Sequence, residues 1–142
     1  EVIIPASSFA NMTAYFSPSH GTHGYASEKA QRDFFFALGY TQSPKIVGKI
    51  VSPITVKRMP AQEVCPDLEL ICLERRGNSM SWQISIYHGS LCQGYAPLKP
   101  ACGATIPVRG YVTSKSRKDV LYSTGPRPYG YEDHHLGRNL FY

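Results

Sequence analysis

The stretch Met80-Ser81-Trp82-Gln83-Ile84-Ser85-Ile86-Tyr87-His88 decides the fold class. Met80, Trp82, Ile84 and Ile86 alternate with Ser81, Gln83, Ser85 and Tyr87, and this period of two predicts a strand with one buried and one polar face. Upstream, Leu68 to Arg75 has the same strand-type composition. Arg76-Gly77-Asn78-Ser79 between the two supplies a tight turn, so the pair predicts an antiparallel hairpin. Further out, Ile46 to Val51, Ile54 to Arg58, Thr105 to Thr113 and Val120 to Ser123 read as strand segments, with Lys115 to Asp119 as a charged connection. Pro44, Pro53, Pro60, Pro66, Pro97, Pro100 and Pro107 punctuate this whole region and exclude long helices from it.

The amino-terminal third differs. Val2-Ile3-Ile4 and Met12 to Phe16 predict two early strands. Ser17 to Gly24 then reads as a polar, Gly-rich loop of the kind that is mobile or shaped around a ligand. Ser27 is the expected N-cap of one helix, Glu28 to Leu38, with Glu28 suited to the positive end of the dipole and Gly39 to the stop. Ala30, Phe34, Ala37 and Leu38 fall at helical spacing, and Phe34-Phe35-Phe36 predicts a helix clasped on more than one side. The expected fold is α+β and β-dominant: an antiparallel sheet or sandwich with one packed helix, about Glu28 to Leu38, and two disulfides. A length of 142 residues fits one domain over 1–142.

Composition removes several classes. With 42% hydrophobic and 18% charged residues the chain is not of the disordered type. No run approaches 18 consecutive apolar residues, so no helical membrane span is expected. The four cysteines, Cys65, Cys72, Cys92 and Cys102, include no C-x-x-C pair, which argues against zinc and thioredoxin-like chemistry and for two disulfides formed in an oxidising compartment. The start at Glu1 reads as a mature chain with its signal peptide removed, and Asn11-Met12-Thr13 is a glycan acceptor in a host that glycosylates. These features point to a secreted, extracellular protein. Four cysteines allow three pairings. The central hairpin sets residue 65 opposite residue 92, so Cys65 with Cys92 and Cys72 with Cys102 is the expected pairing, each bridge contributing about 2 to 4 kcal/mol.

Charge is concentrated. Lys99, Arg109, Lys115, Arg117, Lys118 and Arg127 face a single acid, Asp119, so the segment from 99 to 127 holds the whole net charge of +5. The remaining nine basic and nine acidic residues cancel. Tyr111 and Tyr122 lie within the stretch and Tyr129 and Tyr131 follow it. Cations interleaved with aromatics hold phosphate or sulfate while rings stack on bases or sugars. The candidate binding residues are therefore Arg109, Tyr111, Lys115, Arg117, Lys118, Tyr122 and Arg127, and the partner classes are a host protein, RNA or an anionic glycan. A plain solvated loop at Lys115 to Lys118 is the alternative.

Histidines form a second set: His20 and His23 in the Gly-rich loop, His88 at a strand end, and His134-His135. His20-x-x-His23 with a later histidine would supply metal ligands, but no H-E-x-x-H spacing occurs and the cysteines are expected in disulfides, so no metal site and no cofactor are expected, and His88 is expected at the rim of the core. Metal-free cleavage of RNA needs a general acid and base with a cation. His20 or His88, with Glu69 or Glu74 and Arg75, Arg109 or Arg117, would supply them. A helix on an antiparallel sheet with two disulfides resembles, at the level of fold, the small secreted fungal ribonucleases and the effectors that share their scaffold.

A more local resemblance runs through Met12-Thr13-Ala14-Tyr15-Phe16, His20-Gly21-Thr22 and the helix closing at Gly39-Tyr40. These residues look like the strand, His-Gly-Thr and helix opening of the diphtheria-toxin-type ADP-ribosyltransferases. Gly110-Tyr111-Val112-Thr113 with Tyr122 resembles that family's later strand and nicotinamide-stacking tyrosine, and the resemblance implies Glu132 as the catalytic glutamate. His88-Gly89-Ser90 matches the His-Gly-Thr element equally well. Neither a nucleophile elbow nor a P-loop is present. The overall expectation is a secreted effector- or toxin-type binding protein acting through a basic, Tyr-rich carboxy-terminal region. The alternative is a small enzyme, ribonuclease-like or transferase-like, using His20, His88 or Glu132.

Overall fold

The structure, a computed structural model, describes residues 9–51, 65–75, 81–86 and 88–142. In chain order its elements are β1 (Phe9–Ser17), β2 (Thr22–Ala26), α1 (Lys29–Ala37), β3 (Thr41–Val51), β4 (Leu68–Arg75), β5 (Trp82–Ile86), β6 (Leu91–Pro97), β7 (Arg109–Thr113), β8 (Val120–Ser123) and β9 (Tyr131–Asp133), followed by one 3-10 turn, His135–Gly137. Six strands form one sheet in the order β2-β1-β3-β6-β4-β5, and three form a second in the order β8-β7-β9. Every pairing is antiparallel. The β-dominant class, with a single α-helix among the described residues and two disulfides, is therefore observed. The expected strands Val2–Ile4 and Ile54–Arg58 and the turn at 76–79 lie outside the described residues.

The alternating stretch follows its period in its middle, but Ser81 is buried and Ile86 only half-buried at its ends. Trp82 and Ile84 are buried, whereas Gln83 and Ser85 are half-buried. β4 keeps the bounds read from sequence and pairs with β5, Ile71 facing Ile86 and Arg75 facing Trp82. The six-stranded sheet curls until its edge strands β2 and β5 come within 8 Å in Cα atoms. Two tyrosines fasten this closure to the second sheet. Tyr25 on β2 donates to the Val120 carbonyl (2.6 Å) and accepts from the Tyr122 amide (3.0 Å). The Tyr122 hydroxyl accepts the Ile84 amide of β5 (2.7 Å).

Helix α1 sits close to the expected bounds but buries a different face. Gln31 and Phe35 point inward, while Ala30, Phe34, Ala37 and Leu38, the expected stripe, are exposed together with Phe36. Phe35 decides this. Its ring lies against Tyr40 (5.0 Å between centroids), Trp82 (5.4 Å) and the backbone of Gly24. A Cβ on Gly24 would stand 2.2 Å from the Phe35 ring, so only glycine admits it. The N-cap is Glu28 rather than Ser27, with no side-chain cap. Ser27 instead uses its hydroxyl on the Gln93 carbonyl (2.9 Å), and Gln31 accepts the Ser27 amide (3.1 Å) while donating to the Cys92 carbonyl (2.8 Å). Helix and sheet are thus joined by polar side chains as well as by Phe35, with Phe34 against Trp82 (5.8 Å) and Phe36 against Tyr15 (5.5 Å) on either side.

The disulfides are Cys65–Cys102 and Cys72–Cys92, which corrects the expected pairing. β4 and the shorter β5 pair antiparallel as read, but the chain does not continue straight past His88. It crosses β4 and returns on the other side as β6, so that Cys92 faces Cys72. Gly89 permits the crossing, since a Cβ there would lie 2.5 Å from the Leu73 carbonyl oxygen and 2.8 Å from Cys72 Cβ. The second bridge is buried with Val51 and Ala101, and Phe9, Leu68 and Tyr95 pack against it.

Other expectations also change. The Gly-rich segment is mostly a hairpin: only residues 18–21 form its turn, and Thr22 begins β2. The strand expected from Thr105 starts at Arg109, with Ile106 left 65% exposed. His88 is exposed, not at the rim of the core, because the crossing begins there.

Candidate functional site

The basic segment is built on the β7–β8 hairpin, and its register divides the cations between two ends. Arg109 faces Ser123 at the open end, while Val112 faces Val120 next to the turn that carries Lys115, Arg117 and Lys118. Four strand steps separate Arg109 from Thr113, about 13 Å. The turn is tightly knitted. Thr113 Oγ1 accepts the Asp119 amide (3.2 Å) and shares a hydrogen bond with Ser116 Oγ (2.9 Å), and the Arg117 amide donates to the Thr113 carbonyl (3.0 Å). Arg117 is ion-paired with Glu132 on β9, and Lys99 with Asp67 at 3.5 Å. Lys115 and Lys118 are exposed.

At the open end, Arg109 and Arg127 line a cleft of about 470 Å³ together with Ser123, Thr124, Gly125 and Asp133. Arg109 Nε donates to Asn139 Oδ1 (2.7 Å), and Asn139 Nδ2 donates to the Tyr142 hydroxyl (2.9 Å). This chain fixes the guanidinium plane while leaving its terminal N–H groups for a ligand. Neither guanidinium has an ion-pair partner among the described residues. Two guanidiniums suit the forked geometry of carboxylate, sulfate or phosphate. The Ser123 and Thr124 hydroxyls add neutral donors, and the Asp133 carboxylate is an acceptor for ligand hydroxyls.

The aromatic residues are distributed differently from the cations. Tyr111 and Tyr122 are buried, at 3% and 1% exposure. Tyr111 donates to the Gly125 carbonyl (3.0 Å) and so shapes the floor of the cleft. The Tyr122 ring packs at 5.4 Å against Tyr25. Tyr129 is fully exposed on the loop before β9.

A second constellation lies beside the turn and was not visible in the sequence. Asp119, 1% exposed, receives three donors: the His23 amide at 2.7 Å, His23 Nδ1 at 2.6 Å and the Tyr131 hydroxyl at 2.6 Å. An ionised carboxylate only accepts, so Nδ1 of this 15%-exposed imidazole carries the proton it donates to Asp119. Burial first, then the hydrogen bond and charge of Asp119, push the Tyr131 phenol well above its ordinary value. Burial, reinforced by the same carboxylate, holds Tyr25 well above it as well. The signal that would have revealed the cluster was the isolation of Asp119 among six cations.

The residues named as catalytic candidates, His20, His88 and Glu132, make no hydrogen bond or ion pair with one another. His20 sits on the exposed β1–β2 turn, its Nδ1 2.9 Å from Ser17 Oγ. His88 is exposed at the β4 crossing, and Glu132 is held by Arg117. His20, Tyr111 and Glu132 share no hydrogen bond or ion pair. Among the described residues no three His, Cys, Asp or Glu side chains converge as metal ligands, and no helix is long and apolar enough to cross a membrane. What fold and site define is a class: a small, disulfide-stapled β protein with a two-arginine cleft on its second sheet. No family model, no curated protein and no solved structure matches the chain.

Proposed function

We propose that this chain is a secreted, disulfide-stabilised binding protein of the effector or toxin type that recognises an anionic glycan through its basic carboxy-terminal region. The observation that carries the proposal is the cleft in which Arg109 and Arg127 stand with Ser123, Thr124 and Asp133. Guanidiniums take the sulfate or carboxylate, and Asp133 takes sugar hydroxyls, a mixture that favours a hydroxyl-bearing polyanion over a bare one. The burial of Tyr111 and Tyr122 favours a glycan over RNA, whose single strands are held largely by stacking. Lys115 and Lys118, at the other end of the hairpin, extend the positive field along a longer ligand. Paired cysteines fit an extracellular route.

Heparin oligosaccharides of increasing length, titrated at several salt concentrations, test this. Arg109→Ala with Arg127→Ala is expected to weaken binding more than tenfold for every length and to reduce its salt dependence. Lys115→Ala with Lys118→Ala is expected to matter only for the longer chains. A folded arginine double variant that binds as the parent does would remove the cleft from the proposal.

The His23–Asp119 geometry favours a second reading, that of a small enzyme with His23 Nε2 as general base oriented by a buried carboxylate. Incubation with RNA, and separately with nicotinamide dinucleotide, tests it. Turnover lost in His23→Ala but kept in His20→Ala and His88→Ala supports this assignment, and no turnover by the parent protein refutes it.

A further inference from the structure

Between β3 and the segment leading into β7 lies a cavity of about 520 Å³, well inside the size range of small-ligand sites. It differs in character from the arginine cleft. Phe9 and Ile46 line one side and Ile106 and Val108 the other. Two of these are unusually open for branched aliphatic residues: Ile46 is 55% exposed and Ile106 65%. Gly48 keeps the space between the walls narrow, since a Cβ there would meet Val108 Cγ2 at 3.2 Å. One lining residue is charged, Lys49, which β1–β3 register places opposite Asn11. Lys49 is exposed and makes no ion pair among the described residues.

An apolar volume with a single ammonium complements an amphipathic monoanion. A neutral hydrocarbon would leave the charge unused. A polyanion would find one cation and otherwise hydrocarbon, at a cost in desolvation. We infer that this cavity binds a medium-chain fatty acid, its alkyl chain between Ile46 and Ile106 and its carboxylate on the Lys49 ammonium. The site adjoins the arginine cleft, Thr124 lining both, but its lining is largely apolar where the cleft's is cationic.

Calorimetric titration of the whole protein with octanoate, decanoate and dodecanoate, below their micellar concentrations, tests the inference. Saturable one-to-one binding is expected, tightening by up to about fourfold per methylene as buried apolar area grows. Lys49→Met is expected to weaken dodecanoate about fivefold, as for an exposed ion pair. Lys49→Arg restores it, and dodecanol binds parent and Lys49→Met alike. Ile106→Asp and Ile46→Asp, both at exposed positions, are expected to abolish binding while circular dichroism stays unchanged. Absence of saturable dodecanoate binding by the folded parent, affinity independent of chain length, or Lys49→Met binding dodecanoate as the parent does would each overturn it.

Discussion

The two sheets are secured by different physics. The six-stranded sheet holds the paired cysteines of β4 and β6 and the aromatic contacts of Phe35, and the Cys65–Cys102 bridge ties the segment before β4 to the segment after β6. The three-stranded sheet contains no cysteine. It shares the apolar core of its neighbour through Val112, Val120 and Tyr122, and is further tied to it by tyrosine hydroxyls on backbone groups and by one buried carboxylate that gathers three donors. Covalent and apolar restraints tolerate changes in pH and salt, whereas a polar junction depends on every member keeping its protonation state. The candidate glycan site stands on the sheet of the second kind.

This contrast is sharpest under loss of a bridge. Removing Cys72–Cys92 by paired alanine substitution is expected to cost about 3 kcal/mol, and removing Cys65–Cys102 about 0.5 kcal/mol more, because it closes the longer loop. The sequence separations are 20 and 37 residues. Denaturant titration checks both values, and amide exchange should accelerate first in β4 and β6. Equal costs for the two bridges would show that restriction of the unfolded chain is not the main term.

Asp119→Asn probes the other junction. Breaking a buried, paired charge is expected to cost about 3 kcal/mol, with exchange accelerating in β7, β8 and β9 before β4. A uniform loss across both sheets would show that they unfold as one unit. Gly89→Ala tests whether the crossing is as tight as its geometry implies. The clash with the Leu73 carbonyl is with backbone and has no easy relief, so about 2 kcal/mol is expected, measured by thermal unfolding.

The smallest effect is set by alkaline pH. The Tyr131 phenol is raised above its ordinary value of 10 in the folded protein, so the folded state favours the neutral form. That contribution is complete below pH 10 and is lost as pH rises beyond it, when the unfolded chain ionises and the folded chain does not. Tyr131→Phe is expected to lose about 1 kcal/mol at neutral pH. Its stability should fall less steeply than the parent's above pH 10 in circular dichroism melts. An unchanged alkaline slope would place the pH dependence on Tyr25 instead.

Sequence reasoning succeeded where one local rule governed a whole element. β4 and β8 have the bounds that composition and alternation predict, and Trp82 and Ile84 point inward as their period requires. It failed where a residue served a distant partner. β2 is disguised by His23 and Gly24, one chosen for Asp119 and the other for Phe35. β6 carries Gly94 and ends at Pro97, yet pairs with both β3 and β4, because sheet position rather than propensity sets its state. The basic segment was legible as charge but not as shape. Only the β7–β8 register shows that Arg109 and Arg127 share one cleft while Lys115 and Lys118 lie at the opposite end.

The hydrogen bond from the Ile84 amide to the Tyr122 hydroxyl also bears on how copies of this chain meet one another. β5 ends the six-stranded sheet, and an uncovered row of amides there is a template on which a second molecule adds a strand. The phenol occupies one of the donors such an addition needs and sets the second sheet in the path of an incoming strand. One buried oxygen atom thereby both ties the two sheets together and takes a donor from an otherwise open sheet edge.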